Sequence, residues 1–272
     1  MDGFLKLIKL METLRSEKGC PWDRKQTTKA FKTFLLEEVY EVIEAIDNDD
    51  HKALKEELGD LLFHIVFISQ ICKENGLFGI DDVVNFVYDK MYNRHPHVFF
   101  NSPPDKPIDL KWEDIKKDER EDYSLLSNIP DIIPSLLRAY IISRRVAKVG
   151  FDWDNVDDIY KKMLEEVEEL KKAESTGNID AIREEIGDLL FTIVNISKFY
   201  NIDPEDALRF TSNKFIRRFN YIETKIDVKS SSLSAMDKLW NEIKNIEKKG
   251  GLASFFIRLL QHLPPADPLG LL

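Results

Sequence analysis

Glu56-Glu57-Leu58-Gly59-Asp60-Leu61-Leu62-Phe63-His64-Ile65-Val66-Phe67-Ile68-Ser69 returns later in the chain as Glu184-Glu185-Ile186-Gly187-Asp188-Leu189-Leu190-Phe191-Thr192-Ile193-Val194-Asn195-Ile196-Ser197. The offset is 188 − 60 = 128 residues. Upstream, Glu37-Glu38-Val39-Tyr40-Glu41 meets Glu165-Glu166-Val167-Glu168-Glu169 at the same offset, 166 − 38 = 128. Downstream, Trp112 with Ile115-Lys116 meets Trp240 with Ile243-Lys244, again 128 apart. Three separate blocks at one offset are the mark of a duplicated unit.

The copies read as helices. Phe31, Phe34, Leu35, Val39, Val42, Ile43 and Ile46 fall at spacings of three and four, and so do Leu54, Leu58, Leu61, Leu62, Ile65, Val66 and Ile68. That spacing lays an apolar stripe along one helix face. Asp47-Asn48-Asp49-Asp50 and Glu174-Ser175-Thr176-Gly177-Asn178 carry turn residues between the acidic blocks, so each copy contains a helical hairpin. Asp81-Asp82 and Asp203-Pro204-Glu205 read as helix starts with acidic caps, the second with proline at the first helical position. No stretch alternates at period two. The fold class is therefore all-α, in tandem helical domains: residues 1–125, residues 126–249, and a tail, 250–272, opened by Gly250-Gly251 and given no role. Pro103-Pro104, Pro107, Pro130 and Pro134 punctuate the connection.

Composition narrows the function. A formal charge of −10 over 272 residues argues against a general nucleic-acid binder, which needs a basic footprint. An acidic protein still takes a polyphosphate when a divalent ion stands between the two negative partners. Cys20 and Cys72 supply no disulfide framework and no zinc-site spacing. Lysines break the apolar N-terminus, and no segment approaches the roughly 20 apolar residues of a membrane span. The chain reads as cytoplasmic, with no membrane partner.

Chemistry enters through paired carboxylates. Glu38 and Glu41 stand three apart on one helix, and Glu57 and Asp60 three apart on the next; Glu166 with Glu169 and Glu185 with Asp188 repeat the pattern. Spacing of three puts each pair on one helix face, and an antiparallel hairpin lets the two pairs converge. A single Glu-x-x-Glu is ordinarily a solvated helix face. Here Asp60 and Asp188 stand at the head of nearly continuous apolar runs, where an unpaired charge is costly to bury. Clustered carboxylates repel one another unless a cation holds them, and oxygen-only ligands suit magnesium, manganese or calcium. A ferritin-like iron site needs Glu-x-x-His, whereas aspartate stands at that place in both copies. His64, four after Asp60, has Thr192 as its counterpart. Lys90 with Arg94 and Lys214 with Arg218, a pair repeated at 214 − 90 = 124, supply positive charge for phosphate oxygens. Trp112 and Trp240 read as core packing or as platforms for a base.

At these residues the chain resembles the MazG family of nucleoside triphosphate pyrophosphohydrolases. The matching elements are Gly19-Cys20-Pro21-Trp22-Asp23, Leu36 to Glu41, Glu56 to Asp60 and Arg94 to Phe99; then Val149 to Trp153, Glu165-Glu166 with Glu169, Glu184 to Asp188, and Asn213 to Phe219. The resemblance implies tandem all-α domains, usually in a homodimer, that use magnesium (or manganese) to cleave nucleoside triphosphates between the α and β phosphates. It implies that Glu166, Glu169, Glu185 and Asp188 hold metal, with Glu38, Glu41, Glu57 and Asp60 as first-copy equivalents. Lys162, Lys214, Arg217 and Arg218 would contact phosphates, with Glu165, Glu166 and Glu184 beside the substrate and Trp240 near the nucleoside. Glu165 or Glu185 would take the proton of the attacking water. Lys162 aligns with Phe34 (162 − 128 = 34) and Arg217 with Asn93, so the second copy is expected to be the stronger catalyst. Two other readings stay open: a non-catalytic helical interaction protein, and a hydrolase of another pyrophosphate-containing metabolite.

Overall fold

The computed structural model describes residues 2–100 and 124–260. The chain divides into two compact units, Met1–Glu119 and Arg120–Leu272. Among the described residues all regular structure is helical. Trp112, Ile115-Lys116, the Pro103–Pro107 stretch and residues 261–272 lie outside them.

The first unit holds α1 (Asp2–Arg15), α2 (Pro21–Lys25), α3 (Phe31–Asp47), α4 (His51–Glu74), α5 (Ile80–Arg94) and α6 (Pro96–Phe99). The helical stripes close on one another: α3 and α4 pack as a hairpin, α1 lies on α4, and Met11, Phe31, Val66, Phe67 and Ile71 form the core. Asp50 starts α4, its Oδ1 accepting from the backbone N–H groups of Lys52 and Ala53 at 3.0 Å each. Such a cap satisfies two of the backbone N–H groups that a helix start leaves without partners. The helix that Asp81-Asp82 announces begins at Ile80. Asp82 does not precede it but reaches back from the first turn to accept the Gly79 N–H at 2.8 Å. The Gly19 of the Gly-Cys-Pro-Trp block is dictated by space. A Cβ there would sit 2.2 Å from the Leu14 carbonyl oxygen, where the chain doubles back so that the Cys20 N–H reaches the same oxygen at 2.8 Å.

The second unit holds α7 (Ser135–Ala147), α8 (Val156–Thr176), α9 (Ile179–Phe199), α10 (Pro204–Glu223) and α11 (Leu233–Leu260). The α8–α9 hairpin is the counterpart of α3–α4; α7 packs on α9 and α10, and α10 pairs with α11. Ile159, Val194, Ile222 and Ile243 are buried. Asn178 caps α9 and Asp203 caps α10, each through its own side chain. The tight hairpin turns place Asp49 at φ 53° and Gly177 at φ 68°, equivalent positions at the offset of 177 − 49 = 128. Helix α11 runs through Gly250-Gly251 instead of stopping there. Backbone hydrogen bonding can continue through glycine at a cost of about 1 kcal/mol per residue.

Candidate active site

The second hairpin brings Glu166 of α8 to Glu185 and Asp188 of α9, with one carboxylate oxygen from each lying within 4.8 Å of the others. Residue 166 is on the buried side of α8, 4% exposed, because Ile159, seven residues earlier on the same stripe, is in the core. Its charge is met by Lys162, one turn before it, at 2.8 Å; the same ammonium reaches Glu165 at 3.0 Å. These two hydrogen bonds hold the Lys162 pKa above the ordinary lysine value. Glu185 is pushed up from the usual glutamate value, first by desolvation and then by the charges of Glu169, Asp188, Glu166 and Glu184. Glu169 therefore stands within electrostatic reach of the set but outside its closest three.

In the first hairpin the closest set is Glu38, Glu41 and Glu57, and Asp60 is the member left out. Glu38 and Glu57 are both raised. For Glu38 burial leads, followed by Glu41, Asp60 and Glu57; for Glu57 burial leads, followed by Glu41 and Asp60. Among the described residues, the basic side chain paired with Glu38 is an imidazole and not a lysine. Phe34 occupies the place of Lys162 and packs edge-on against Phe31 and Trp22, with ring centroids 5.6 and 6.2 Å away. His64 faces Glu38, Nδ1 to Oε1 at 3.8 Å, and burial lowers its pKa below the ordinary imidazole value.

The expectation that Asp60 and Asp188 are under pressure to be buried is corrected: both are exposed, and Glu166 is the buried carboxylate. Each apolar run after them covers two helix faces. One packs inside its own unit, as Val66 and Val194 do, and the other leaves Leu62, Ile65, Leu190 and Ile193 about 40% exposed.

The cationic residues form a second group on α10 and α11. Arg217 and Arg218 both grip Glu247. Arg217 donates from Nε to Oε1 at 3.1 Å, and Arg218 from Nε and Nη2 to Oε2 at 2.9 and 2.7 Å. Burial would raise the Glu247 carboxyl, but the bonds from Arg218 and Arg217 outweigh it and hold the carboxyl below its ordinary value. The Arg218 guanidinium lies 5.5 Å from the Trp240 ring centre, and the Phe215 ring lies tilted against the same indole with centroids 5.0 Å apart. Lys214 lies over Phe210, as Lys90 lies over Phe86 in the first unit, at 5.6 and 5.8 Å. Trp240 is thus both a packing residue and a cation platform.

These geometries coincide with a known domain. The MazG nucleotide pyrophosphohydrolase domain matches residues 26–99 and again 155–222. Those two stretches carry both carboxylate hairpins and the Lys214–Arg218 segment. The chain belongs to the MazG family. It is 42% identical over 248 residues to the nucleoside triphosphate pyrophosphohydrolase/pyrophosphatase MazG of Thermotoga maritima, covering 89% of this chain and 95% of that one. It is 37% identical over 260 residues to the nucleoside triphosphate pyrophosphohydrolase of Escherichia coli, covering 91% and 99%.

Within this MazG-family chain, sequence reasoning missed Glu247, which lies seven residues after Trp240 and so two turns along the same face of α11. That spacing was the available signal. It also set His64 aside as the odd member of a repeat, although the odd members are where duplicated sites differ.

Proposed function

We propose that the chain hydrolyses nucleoside triphosphates to the monophosphate and pyrophosphate, and that the second copy does most of the work. The observation that carries this is the convergence of Glu166, Glu185 and Asp188 with a lysine, Lys162, already at the buried carboxylate. Glu185 is raised first by desolvation and then by the negative charge of Glu169, Asp188, Glu166 and Glu184, and a divalent cation would relieve that crowding. Glu166, Glu185 and Asp188, joined by Glu169, would hold it; magnesium is the natural ion for an all-oxygen set, with manganese as an alternative. When bound, such an ion polarises phosphate oxygens and makes a bound water more acidic.

The side chains supply the rest. Glu165 or Glu185 accepts the proton of the water that attacks the α-phosphorus. Lys162 turns from its carboxylates to the phosphate chain, and Lys214, Arg217 and Arg218 neutralise oxygens on the departing pyrophosphate. Glu184, on the same turn as Glu185, completes the acidic wall beside the substrate. Trp240 takes the base or sugar face. The first-copy residues Glu38, Glu41, Glu57 and Asp60 form an equivalent site of lower activity, because Phe34 has no group to hold a phosphate oxygen and Asn93 offers only a neutral amide where Arg217 brings a positive charge.

Exposed Leu36, Tyr40, Leu58 and Leu62 on the first hairpin, and Leu164, Ile186 and Leu190 on the second, support a homodimer. No helix among the described residues is long and apolar enough to cross a membrane, and both cysteines are unpaired thiols, which suits a cytoplasmic protein. The acidic surface carries no case for a nucleic-acid partner.

The deciding experiment incubates pure protein with a panel of nucleoside triphosphates, including ATP, and magnesium chloride, with and without chelator. Monophosphate and pyrophosphate are expected, abolished by the chelator. Diphosphate and orthophosphate would move the cleaved bond and remove the scheme. No turnover of any triphosphate would leave the acidic hairpins as an interaction surface.

A further inference from the structure

Among the described residues of the first unit, His64 supplies the one fully buried side-chain polar atom without a hydrogen-bond partner, its Nδ1. Buried polar atoms in native proteins are almost always satisfied. The ring is boxed by Phe31, Phe34 and Phe63, with centroids at 5.2, 6.3 and 5.8 Å, so it has little freedom to turn toward another partner. Its side chain is 10% exposed, and Nδ1 points at Glu38 Oε1 from 3.8 Å. That separation is too long for a hydrogen bond. It suits two donors on one ion, which at about 2.1 Å each stand about 3 to 4 Å apart.

We propose that the first copy binds a transition-metal dication of the manganese, cobalt or zinc kind between His64 Nδ1 and the Glu38 carboxylate. Asp60 is a third ligand. It lies one turn before His64 on α4, is exposed, and is the carboxylate that the Glu38–Glu41–Glu57 set leaves out. Glu38 belongs to both groupings. An imidazole nitrogen shifts a site away from magnesium and toward later dications. The second copy has Thr192 in place of His64 and keeps an oxygen-only set. The two halves of the chain therefore select different ions. This inference rests on reading the acidic hairpins as cation sites.

The test loads the full-length protein with Mn2+ and follows binding by loss of the free-ion electron paramagnetic resonance signal, then looks for nitrogen modulation in the spin echo. Two classes of Mn2+ are expected, the tighter one showing directly bound nitrogen and resisting competition by Mg2+. His64→Gln and His64→Thr should remove the nitrogen modulation and weaken the tight class about tenfold or more, leaving the other class alone. Should both variants fail to fold, a protein with the other four histidines replaced (His51, His95, His97 and His262, each →Gln) decides the matter. Persistent modulation there supports the site, and its loss overturns it. Two classes of Mn2+ without nitrogen modulation would overturn the His64 site and leave the acidic sites standing. No Mn2+ binding at all would overturn both.

Discussion

Glu38 and Glu166 occupy equivalent positions on equivalent hairpins, yet they meet opposite neighbours. Glu166 is met by the Lys162 ammonium at 2.8 Å, whereas Glu38 looks at an imidazole 3.8 Å away behind Phe34. In the second copy the carboxylate set comes with a movable positive charge; in the first it comes with an aromatic wall. The difference teaches that a duplicated acidic motif can keep its geometry while the residue one helical turn away changes what the motif can do. A lysine is the partner a phosphate chain can recruit, and a phenylalanine is not.

The sharpest way to break this comparison is to remove one aspartate at a time. Asp188→Ala should lower turnover at least about 100-fold, since even outer partners of metal ligands cost 10–100-fold. Asp60→Ala should lower it less than about threefold, on the same scale. Equal losses in a steady-state pyrophosphate-release assay would end the asymmetry. Lys162→Met comes next. Losing a charge-assisted contact of about 1.5–3 kcal/mol should raise KM for the triphosphate about tenfold or more. Phe34→Met, the corresponding change in the first copy, should leave KM where it was.

A smaller effect lies in pH and metal together. Glu38, Glu57 and Glu185 have folded pKa values raised above the ordinary glutamate value of 4.5. Without a dication, these groups favour the folded protein most below that value, and the contribution is lost as pH rises through their folded values. A cation needs them ionised. The gain in melting temperature from magnesium chloride should therefore be largest near neutral pH and shrink as pH falls toward 4.5. A gain that stays constant over that range would mean that the ion binds elsewhere. The smallest effect concerns the hairpin turns. Gly177→Ala places a side chain at φ 68° and should cost about 1 kcal/mol, while Asp49→Gly at φ 53° should gain a few tenths. Thermal melts read both, and opposite signs are the expected result.

Much of this was legible beforehand because the cues were local. The stripe from Phe31 to Ile46, the turns over residues 47–50 and 174–178 and the cap at Asp203 need only spacing and turn chemistry to be read. The offset of 128 gives the hairpins their equivalence without any structure. Other features depended on approach between elements. Spacing placed four carboxylates on each hairpin, but which three come closest is decided by how the helices cross, and the answer differs between copies: Asp60 is left out in one, Glu169 in the other. The burial assigned to Asp60 and Asp188 was misplaced because an apolar run does not say which of its faces stays uncovered. The anchoring of Arg217 and Arg218 by a glutamate 29 residues beyond Arg218 is a long-range pairing; the spacing from Trp240 puts Glu247 on the right face of α11 but does not say which side chains of α10 it meets.

That shared carboxylate has a consequence for how the second unit opens. Glu247 takes hydrogen bonds from two consecutive arginines of α10 while belonging to α11, and Tyr221 and Glu242 add a further tie between the same helices at 2.7 Å. A fluctuation that separates α10 from α11 must break both ties. Slow amide exchange in the last turns of α10 should thus keep step with that of α11 around residue 243, and a ligand that draws the arginines away would loosen the terminal helix as it binds.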